Sequence, residues 1–330
     1  MSKEKLNKLL AVFASRDRVL VVVNADPDAM ASALALKRLL WRHVASCAIA
    51  RVNTVQRPDN LAMIRLLKIE MLPLRGLDLT KFDRFVIVDS QPDHHEGFAG
   101  INYDVVIDHH PQGELKARFV DVRPTWGATS SILTQYLRAA RIRPSRALAT
   151  ALCLGIKTDT SSFERKTTIA DVDAFQFLFQ RADQHTMRRI EQAELTQDAL
   201  LHFQRALSLA RVRQHRADIC LGPVPGHDVC VMIADFFMRV HDVQWVTVAG
   251  HHGGLLVVIA RSDGVRRDAG KVLQRAFGDV GKAGGHRNMA RAEVAMMRIP
   301  AEARPEDQAA LARWIRQRMA RRKRPPAAAV

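Results

Sequence analysis

Acidic and histidine side chains occur in four groups, each at the end of an apolar run of the sequence. In chain order the groups are Asp26 with Asp28, Asp89, Asp108 with His109 and His110, and Asp159. The carboxyl ends of the strands line the ligand crevice of an open α/β sheet, so we expect the four groups to meet there. One aspartate at such a place is commonly a turn or helix-cap residue, but several converging carboxylates repel one another unless protons or cations neutralise them. The pattern therefore predicts a cation site, and its oxygen and imidazole donors suit Mn²⁺ or Mg²⁺.

The cysteines are not expected to contribute to this site. They are widely spaced and include no CxxC pair, which disfavours both a zinc site and a disulfide framework. Their positions are Cys47, Cys153, Cys220 and Cys230. We expect them to be small, mostly buried apolar residues.

The first half of the chain alternates apolar strands with helical segments. The predicted strands are RVLVVV (18–23), VASCAIARV, RFVIVDS and DVVIDHH, and the helices include ASALALKRLLWRHV and RPDNLAMIRLL. Two further helices are predicted at about 128–140 and 145–155. Continuous apolar strands that alternate with helices are typical of a parallel sheet covered on both faces.

A second, smaller α/β domain is predicted after a helical connector. Residues 168–213 contain no glycine or proline and are expected to be helical. WVTVAG and LLVVIARS should then pair as a hairpin around HHGG, followed by the helix RDAGKVLQRAFG, the glycine-rich loop KAGGH and a last strand near AEVAMMRI. The predicted boundaries are 1–190 for the first domain, 191–213 for the connector and 214–330 for the second domain.

The chain has 330 residues and a formal net charge of +16, so it should attract acidic partners. Seven of the basic residues lie between residues 313 and 324, where no acidic residue occurs. A solvated helix end is the favoured interpretation of this tail, and a nucleic-acid-binding arm is the alternative. No apolar run is long enough to span a membrane, and charges interrupt the N-terminal segment too often for a secretory signal. The sequence therefore predicts a cytoplasmic protein without membrane partners.

Five motifs of the sequence resemble those of one family, the DHH phosphoesterase superfamily. This superfamily includes RecJ-like exonucleases, family II inorganic pyrophosphatases and the nanoRNase and phosphoadenosine phosphatase group, and the resemblance is strongest to the last group. The motifs run in the family's order from about residue 18 to residue 300, and they are DPDAMAS, VIVDS, VIDHH, GIKTDTSSF and GGHRNMA. The last of them, preceded by IARS, resembles the substrate motif of the DHH-associated C-terminal domain.

The resemblance implies a two-metal site in the first domain. Asp26 would bind one ion, Asp28 the second, and Asp89 would bridge them. His109 and Asp159 would complete the shell of the second ion. The four aspartates supply a charge of −4, which two divalent ions would balance, and such a pair can generate hydroxide and hold phosphoryl oxygens during in-line attack.

The resemblance also implies catalytic and substrate-binding residues. His110 would lie beside the attacked phosphate, and Asp108 would orient the histidines. Glycines permit close approach of the backbone to a phosphate, and arginine and histidine pair with its charge. The implied substrate-binding residues are Arg261, Ser262, Gly284, Gly285 and His286.

The sequence departs from the family pattern at two places. Val22 occupies the position of a metal-binding histidine, so the first ion is expected to bind weakly. Asn24, His94 or His95 would have to compensate, although a solvated loop is the favoured interpretation of the two histidines. In the last motif, small residues that end in glycine are replaced by Met289, Ala290 and Arg291.

The predicted function is that of a Mn²⁺- or Mg²⁺-dependent phosphoesterase with its active cleft between the two domains. The predicted substrates are short oligoribonucleotides, linear dinucleotides or a nucleoside 3′,5′-bisphosphate, and polyphosphate is a weaker option. A homodimer is left open as the assembly. One alternative is a nucleotide-binding or regulatory protein weakened in catalysis by the change at Val22. Another is a nucleic-acid-binding protein that uses its basic tail.

Overall fold

The computed structural model describes residues 3–165, 167–192, 197–303 and 307–320. The chain divides into two compact units, Met1–Ala193 and Glu194–Val330. Within the described residues, each unit contains a six-stranded sheet with helices packed against it. The predicted α/β class, with a parallel N-terminal sheet and a smaller C-terminal domain, is therefore confirmed. The boundaries at residues 190 and 213 stay a prediction, and the basic segment 321–330 lies outside the described residues.

The first unit is built on a fully parallel sheet. Its described strands are β1 (Arg18–Val23), β2 (Ser46–Arg51), β3 (Leu72–Pro73), β4 (Arg84–Val88), β5 (Val105–Asp108) and β6 (Phe119–Val122). They pair in the order β3-β2-β1-β4-β5-β6. Val19, Val21 and Val23 of β1 belong to one apolar core and Leu20 and Val22 to another, because successive side chains of a strand project to opposite faces. The sheet is therefore buried on both sides, as the continuous apolar run RVLVVV predicts.

Helices cover this sheet, and several of them begin with a side chain that caps the N-terminus. The described helices are α1 (Lys3–Leu10), α2 (Pro27–Leu39), α3 (Pro58–Leu67), α4 (Thr129–Ala139), α5 (Arg146–Asp159), α6 (Ile169–Phe179) and α7 (Gln184–Glu191). Helix α2 has proline in its first turn and Asp26 as its N-cap. Helix α6 begins with a capping box between Thr168 and Asp171.

The order of the strands creates a crevice at the carboxyl end of β1. The chain runs from β1 to β2 and β3 on one side, and then returns to place β4 on the other side of β1. Such a reversal is the usual ligand-binding place of an open α/β sheet. Asp26 and Asp28 follow β1, Asp89 follows β4, and Asp108 is the last residue of β5. The topology thus positions three of the four acidic groups at one edge of the sheet.

The second unit has a mixed sheet with helices on both faces. Its described elements are α8 (Gln197–Leu209), β7 (Arg211–Arg213), β8 (Arg216–Pro223), α9 (His227–Phe237), β9 (Trp245–His252), β10 (Leu255–Ser262), α10 (Ala269–Phe277), β11 (Lys282–Gly285), β12 (Met289–Ala295) and α11 (Gln308–Met319). The strand order is β11-β12-β10-β9-β8-β7, and the β8–β9 pairing is parallel whereas the others are antiparallel.

Several local predictions for the second unit differ from the structure. The predicted β9–β10 hairpin is present, but His251 and His252 lie in β9 and not in the turn. The predicted loop KAGGH is largely strand β11, because β12 supplies pairing partners that override the low strand propensity of glycine. The helix predicted to residue 213 ends at Leu209 and is followed by β7. Within the described residues, no helix has the length and apolar character to cross a membrane.

Candidate metal centre

Four of the predicted ligands converge in the first unit. Asp28 from the first turn of α2, Asp89 after β4, His109 after β5 and Asp159 at the end of α5 each offer a ligand atom, and these atoms lie within 4.8 Å of one another. Nε2 of His109 lies 3.0 Å from Oδ2 of Asp159 and 3.5 Å from Oδ1 of Asp89. We call these four residues the candidate metal centre.

The N-terminus of α4 holds the carboxylate of Asp28. The backbone N–H groups of Thr129 and Ser130 donate to its Oδ2 and Oδ1, both at 2.7 Å. The N-cap residue of α4, Ala128, makes no side-chain cap, so the N–H groups that a helix start leaves free bind Asp28 instead. Each carboxylate oxygen keeps a further lone pair for a cation. Thr129 and Ser130 were missed in the sequence, where the only signal was a helix start without a capping side chain.

Asp89 lies in an unusual backbone conformation at the same point. Its φ angle is +59°, in the left-handed region that non-glycine residues rarely adopt. Its N–H donates to the carbonyl of Ile107 at 2.9 Å, and its Oδ1 accepts the hydroxyl of Thr129 at 2.9 Å. Such strain persists where surrounding contacts over-determine the conformation, which is common at functional sites.

Gly155 allows α5 to approach the centre. A Cβ atom on this residue would lie 2.4 Å from Oγ of Ser130 and 3.0 Å from Oδ1 of Asp28. No side chain fits at that separation. The glycine of the motif GIKTDTSSF therefore permits the close packing of α5 on the starts of α2 and α4.

His109 directs its ring nitrogen Nε2 at the three carboxylates. Its Nδ1 lies 3.3 Å from the carbonyl of Trp126, which fixes the ring and leaves Nε2 as the nitrogen that faces the carboxylates. Among the described residues, this buried Nε2 has no hydrogen-bond partner of ordinary geometry. Three carboxylates and one imidazole nitrogen form the donor set of a Mn²⁺ or Mg²⁺ site, so the residues present fit a divalent cation.

The pKa values of the centre are raised, so its groups hold protons more tightly than they would in water. Burial and the neighbouring charge of Asp159 raise the pKa of Asp28 to about 6. Burial, followed by the charges of Asp28 and Asp26, raises the pKa of Asp89 well above its ordinary value. Burial alone would lower the pKa of His109, but the surrounding carboxylates raise it to about 9. Without a cation the centre therefore holds protons, which a divalent ion would displace.

Asp108 and His110 form a pair next to the centre, and ligand atoms of Asp89, His109 and His110 also lie within 4.8 Å of one another. Oδ1 of Asp108 lies 2.8 Å from Nδ1 of His110, and its Oδ2 accepts the side-chain amide of Gln91 at 2.7 Å. The same amide donates to the carbonyl of Pro111 at 3.0 Å, and its oxygen accepts the N–H of Gly113 at 2.8 Å. Both oxygens of Asp108 are thus engaged in orientation. Gln91, fully buried, was missed in the sequence, and its place two residues after Asp89 was the only signal.

Asp26 is not one of the four residues whose ligand atoms converge, although its charge helps to raise the pKa of Asp89. Oδ1 of Asp26 caps α2 by accepting the N–H of Ala29 at 2.9 Å. Burial and the charge of Asp159 raise the pKa of Asp26 to about 7. Val22 is fully buried in an apolar core with Leu20 and Ile87, so it offers no ligand.

His94 is brought to the DHH loop, whereas Asn24 and His95 are not grouped with it. Ligand atoms of His94, Asp108 and His110 lie within 4.8 Å of one another, and the rings of His94 and His110 are 5.5 Å apart. His95 instead accepts the N–H of Gly97 and caps a short turn. Asn24 is exposed.

The five predicted substrate-binding residues lie together at one end of the second sheet. Nε of Arg261 donates to Oδ1 of Asp235 at 2.7 Å. Oγ of Ser262 lies 3.2 Å from the carbonyl of Arg267 and 3.1 Å from that of Arg287, so it ties two loops together.

The glycines and the histidine of the same group occupy the end of β11. A Cβ on Gly284 would meet no atom within 4 Å. Gly285 has φ of +143°, and a Cβ there would lie 2.4 Å from the carbonyl of Met289. His286 is exposed. Ala290 and Arg291, which replace the expected small residues, lie in strand β12.

The N-terminal part of the chain matches a known protein family. Residues 18–156 match the DHH family, N-terminal domain. The chain is 35% identical over 277 residues to an uncharacterized protein of Methanocaldococcus jannaschii. The aligned region covers 84% of this chain and 57% of that protein. The chain therefore spans little more than half the length of the curated relative it matches.

Two solved structures share the fold across both units. An exopolyphosphatase-related protein from Bacteroides fragilis superposes with a TM-score of 0.74 at 16% identity, covering 96% of this chain and 97% of that one. Exonuclease RecJ bound to manganese gives a TM-score of 0.52 at 14% identity, covering 97% and 94%. At these identities the two likenesses show the fold, and the match over residues 18–156 is what supports a DHH superfamily member. The nanoRNase and phosphoadenosine phosphatase subgroup stays a prediction.

Proposed function

We propose that this DHH superfamily member is a metal-dependent phosphoesterase that acts at the candidate metal centre. The observation that carries the proposal is the convergence of three carboxylates and a buried imidazole nitrogen at the switch point of the first sheet. Buried like charges are costly unless a cation is bound. The two solved relatives are, by name, an exopolyphosphatase-related protein and an exonuclease bound to manganese.

The residues of the centre have separate tasks in this mechanism. Asp28, Asp89, His109 and Asp159 would hold a divalent cation. When bound, the cation supplies a positive charge that makes water more acidic and stabilises negative charge on a phosphoryl group. The N–H groups of α4 fix Asp28, so the centre is organised before substrate binds.

His110 is the residue we assign to contact with the attacked phosphate. Asp108 accepts from Nδ1 of His110 and fixes the ring, which leaves Nε2 to donate to a phosphoryl oxygen or to the leaving group. Gln91 in turn holds Asp108. The chain Gln91–Asp108–His110 therefore positions one proton donor beside the centre.

The substrates we propose are short oligoribonucleotides, linear dinucleotides or a nucleoside 3′,5′-bisphosphate, with Mn²⁺ as the preferred ion. The net charge of +16 favours such acidic molecules. Arg261 and the open glycine segment at Gly284 offer a charge and close backbone approach for a terminal phosphate. A nucleotide-binding protein with weakened catalysis is the second candidate, and it is favoured by the burial of Val22 in an apolar core, where the family has a metal ligand.

A hydrolysis screen with added Mn²⁺ separates the two candidates. The substrates are dinucleotides, longer oligoribonucleotides, adenosine 3′,5′-bisphosphate and polyphosphate, and product formation is measured for the wild type and Asp159→Asn. Asp173→Asn serves as the matched control, because it makes the same change at an exposed position of α6. We expect turnover of a short substrate that Asp159→Asn abolishes and Asp173→Asn preserves. Metal-dependent nucleotide binding without turnover would favour the second candidate.

A further inference from the structure

The second unit contains a cavity of about 350 Å³ that is separate from every residue of the predicted active site. It lies between α11 and the face of strands β8 and β9. On this face α10 and α11 cover the middle of the sheet. The cavity exists because the residues that meet here are small, namely Ala249 on β9 and Ala309 and Ala312 on α11. Its volume is within the range of sites for small organic ligands.

Two arginines line the cavity. Arg211 comes from the start of β7 and Arg316 from α11. Neither guanidinium makes an ion pair with a carboxylate in the described part of the chain. The carboxylate among the described lining residues is that of Asp218, whose Oδ1 lies 3.9 Å from Nη2 of Arg216. Three guanidinium groups therefore share one carboxylate, which leaves room for a further anion.

The two arginines are close enough to repel each other. Burial, followed by the positive charge of Arg211, lowers the pKa of Arg316. Side chains that can rotate freely in water separate under such repulsion, but Arg316 is half-buried on α11. A bound anion would relieve the repulsion and would accept several N–H groups at once, which is the arrangement that favours arginine at phosphate sites.

The interior of the cavity offers a mixture of apolar surface and two defined polar atoms. Nε2 of Gln308 donates to the carbonyl of Cys220 at 2.6 Å, so its Oε1 remains an acceptor. Oγ1 of Thr247, which is 98% buried, accepts the indole N–H of Trp245 at 2.9 Å and keeps its own proton to donate. Ile315 and Met319 complete the apolar wall. A ligand with both a ring and an exocyclic donor suits this surface.

We infer that this cavity binds a small organic phosphate monoester of about the size of a nucleoside monophosphate. The phosphate would lie between Arg211 and Arg316, and the ring would pack on the alanines of α11 and β9. The inference goes beyond the proposed hydrolysis and does not depend on it, since the cavity shares no residue with the candidate metal centre.

The probe is adenosine 5′-monophosphate, and binding to the full chain is measured by equilibrium dialysis at low ionic strength. Adenosine and inorganic phosphate are titrated in parallel, because each lacks one half of the proposed contacts. We expect both to bind at least about tenfold more weakly than the nucleotide. Equal binding of phosphate alone would overturn the assignment of an organic ligand. Absence of nucleotide binding up to millimolar concentration would overturn the site itself.

Three substitutions place the binding in the cavity. Arg316→Gln and Arg211→Gln remove the two charges, and Ala312→Leu fills the space without changing charge. Arg313→Gln is the matched control, since it makes the same change on the same helix at a residue that lies 3.7 Å from Asp307 and does not line the cavity.

Each substitution in the cavity should weaken nucleotide binding about tenfold or more, and Arg313→Gln should change it less than about twofold. Arg211 is exposed, so its substitution leaves the fold intact even if Ala312→Leu does not. If the nucleotide also binds the candidate metal centre, binding there should remain in all variants. The cavity substitutions should then lower the measured stoichiometry by one nucleotide per chain. Unchanged affinity and stoichiometry in both arginine variants would show that the nucleotide binds elsewhere.

Discussion

The charged and polar groups of the candidate metal centre and those of the predicted substrate-binding residues in the second unit have opposite effects on stability. In the centre, Asp28 and Asp89 are buried near each other, and burial raises the pKa of both carboxyls. In the second unit, Arg261 already pairs with Asp235, and Ser262 already ties two loops. Burial of like charges lowers stability, whereas the contacts of Arg261 and Ser262 add to it. The hydrogen bonds of Asp28 and Asp89 do not remove the repulsion between their buried charges, so the centre carries the stronger case for a ligand.

The largest expected effect is the opposite response of activity and stability to one substitution in the centre. Asp89→Asn should lower hydrolysis at least about 1,000-fold, because the centre loses one of its three carboxylate ligands. The same change should raise the melting temperature of the metal-free protein, because it removes buried repulsion. Asparagine also tolerates the left-handed backbone of this position.

Ser262→Ala, in the second unit, should instead lower the melting temperature, because it removes the contacts of the hydroxyl with two loops. Calorimetry in EDTA and a hydrolysis assay test both, and near-native turnover of Asp89→Asn would rule out this centre.

A second comparison uses two glycines in the two regions. Gly155→Ala should destabilise the protein by about 1–3 kcal/mol and reduce metal binding, because the new Cβ meets Ser130 and Asp28. Gly284→Ala should cost far less, since a Cβ there meets open space. Urea denaturation of both variants measures the difference. The packing argument fails if the two free energies of unfolding are equal, and Ser130→Ala added to Gly155→Ala should recover part of the loss.

The stability of the metal-free protein should fall as pH rises. The pKa of Asp28 is raised to about 6 and that of Asp26 to about 7, both above the ordinary value of 3.8, so the folded chain binds more protons than the unfolded chain across that window. The pKa of His109, raised from 6.5 to about 9, extends the same loss to higher pH.

Thermal melts from about pH 5 to about pH 8, with EDTA or with Mg²⁺, measure this dependence. The cation should reduce the fall, because it replaces the protons on the same groups. A melting temperature that rises with pH in EDTA would contradict the assigned shifts.

The smallest expected effect concerns the ion pair of the second unit. Asp235→Asn should free Arg261 for substrate and lower KM a few-fold with little change in kcat, whereas Arg261→Gln should raise KM. Arg213→Gln, at an exposed position on β7, is the control for loss of charge. If Asp235→Asn raises KM instead, the ion pair serves to position Arg261 and does not compete with substrate.

The sequence predicted four of the six described strands of the first sheet because their signals are local, whereas β3 and β6 were not predicted. The apolar run of β1 and the polar residues after β1, β4 and β5 lie next to one another in the chain. Strand β11 was not predicted, since its pairing with β12 is a tertiary contact that the composition of KAGG does not reveal. Strand β7 falls within the segment predicted to be helical, and strand β8 and helix α9 were not identified although HDVCVMIADFF is mostly apolar.

The supports of the centre could not be predicted for a related reason. Gln91 contacts Asp108 and Gly113 only after two loops have packed together. Thr129 reaches Asp28 across more than 100 residues of sequence. The type and spacing of ligands are properties of short motifs, whereas the donors that hold them depend on the packing of distant helices.

The contact between Asp28 and the start of α4 makes two amide protons sensitive to the state of the centre. The N–H groups of Thr129 and Ser130 each donate to one oxygen of that carboxylate. Protonation or cation binding changes the charge on those oxygens, and the resonance frequency of a hydrogen-bonded amide proton depends on the charge of its acceptor. The backbone signals of these two residues therefore form a built-in reporter, by which occupancy of Asp28 can be followed in NMR spectra without a substrate or a label on the site.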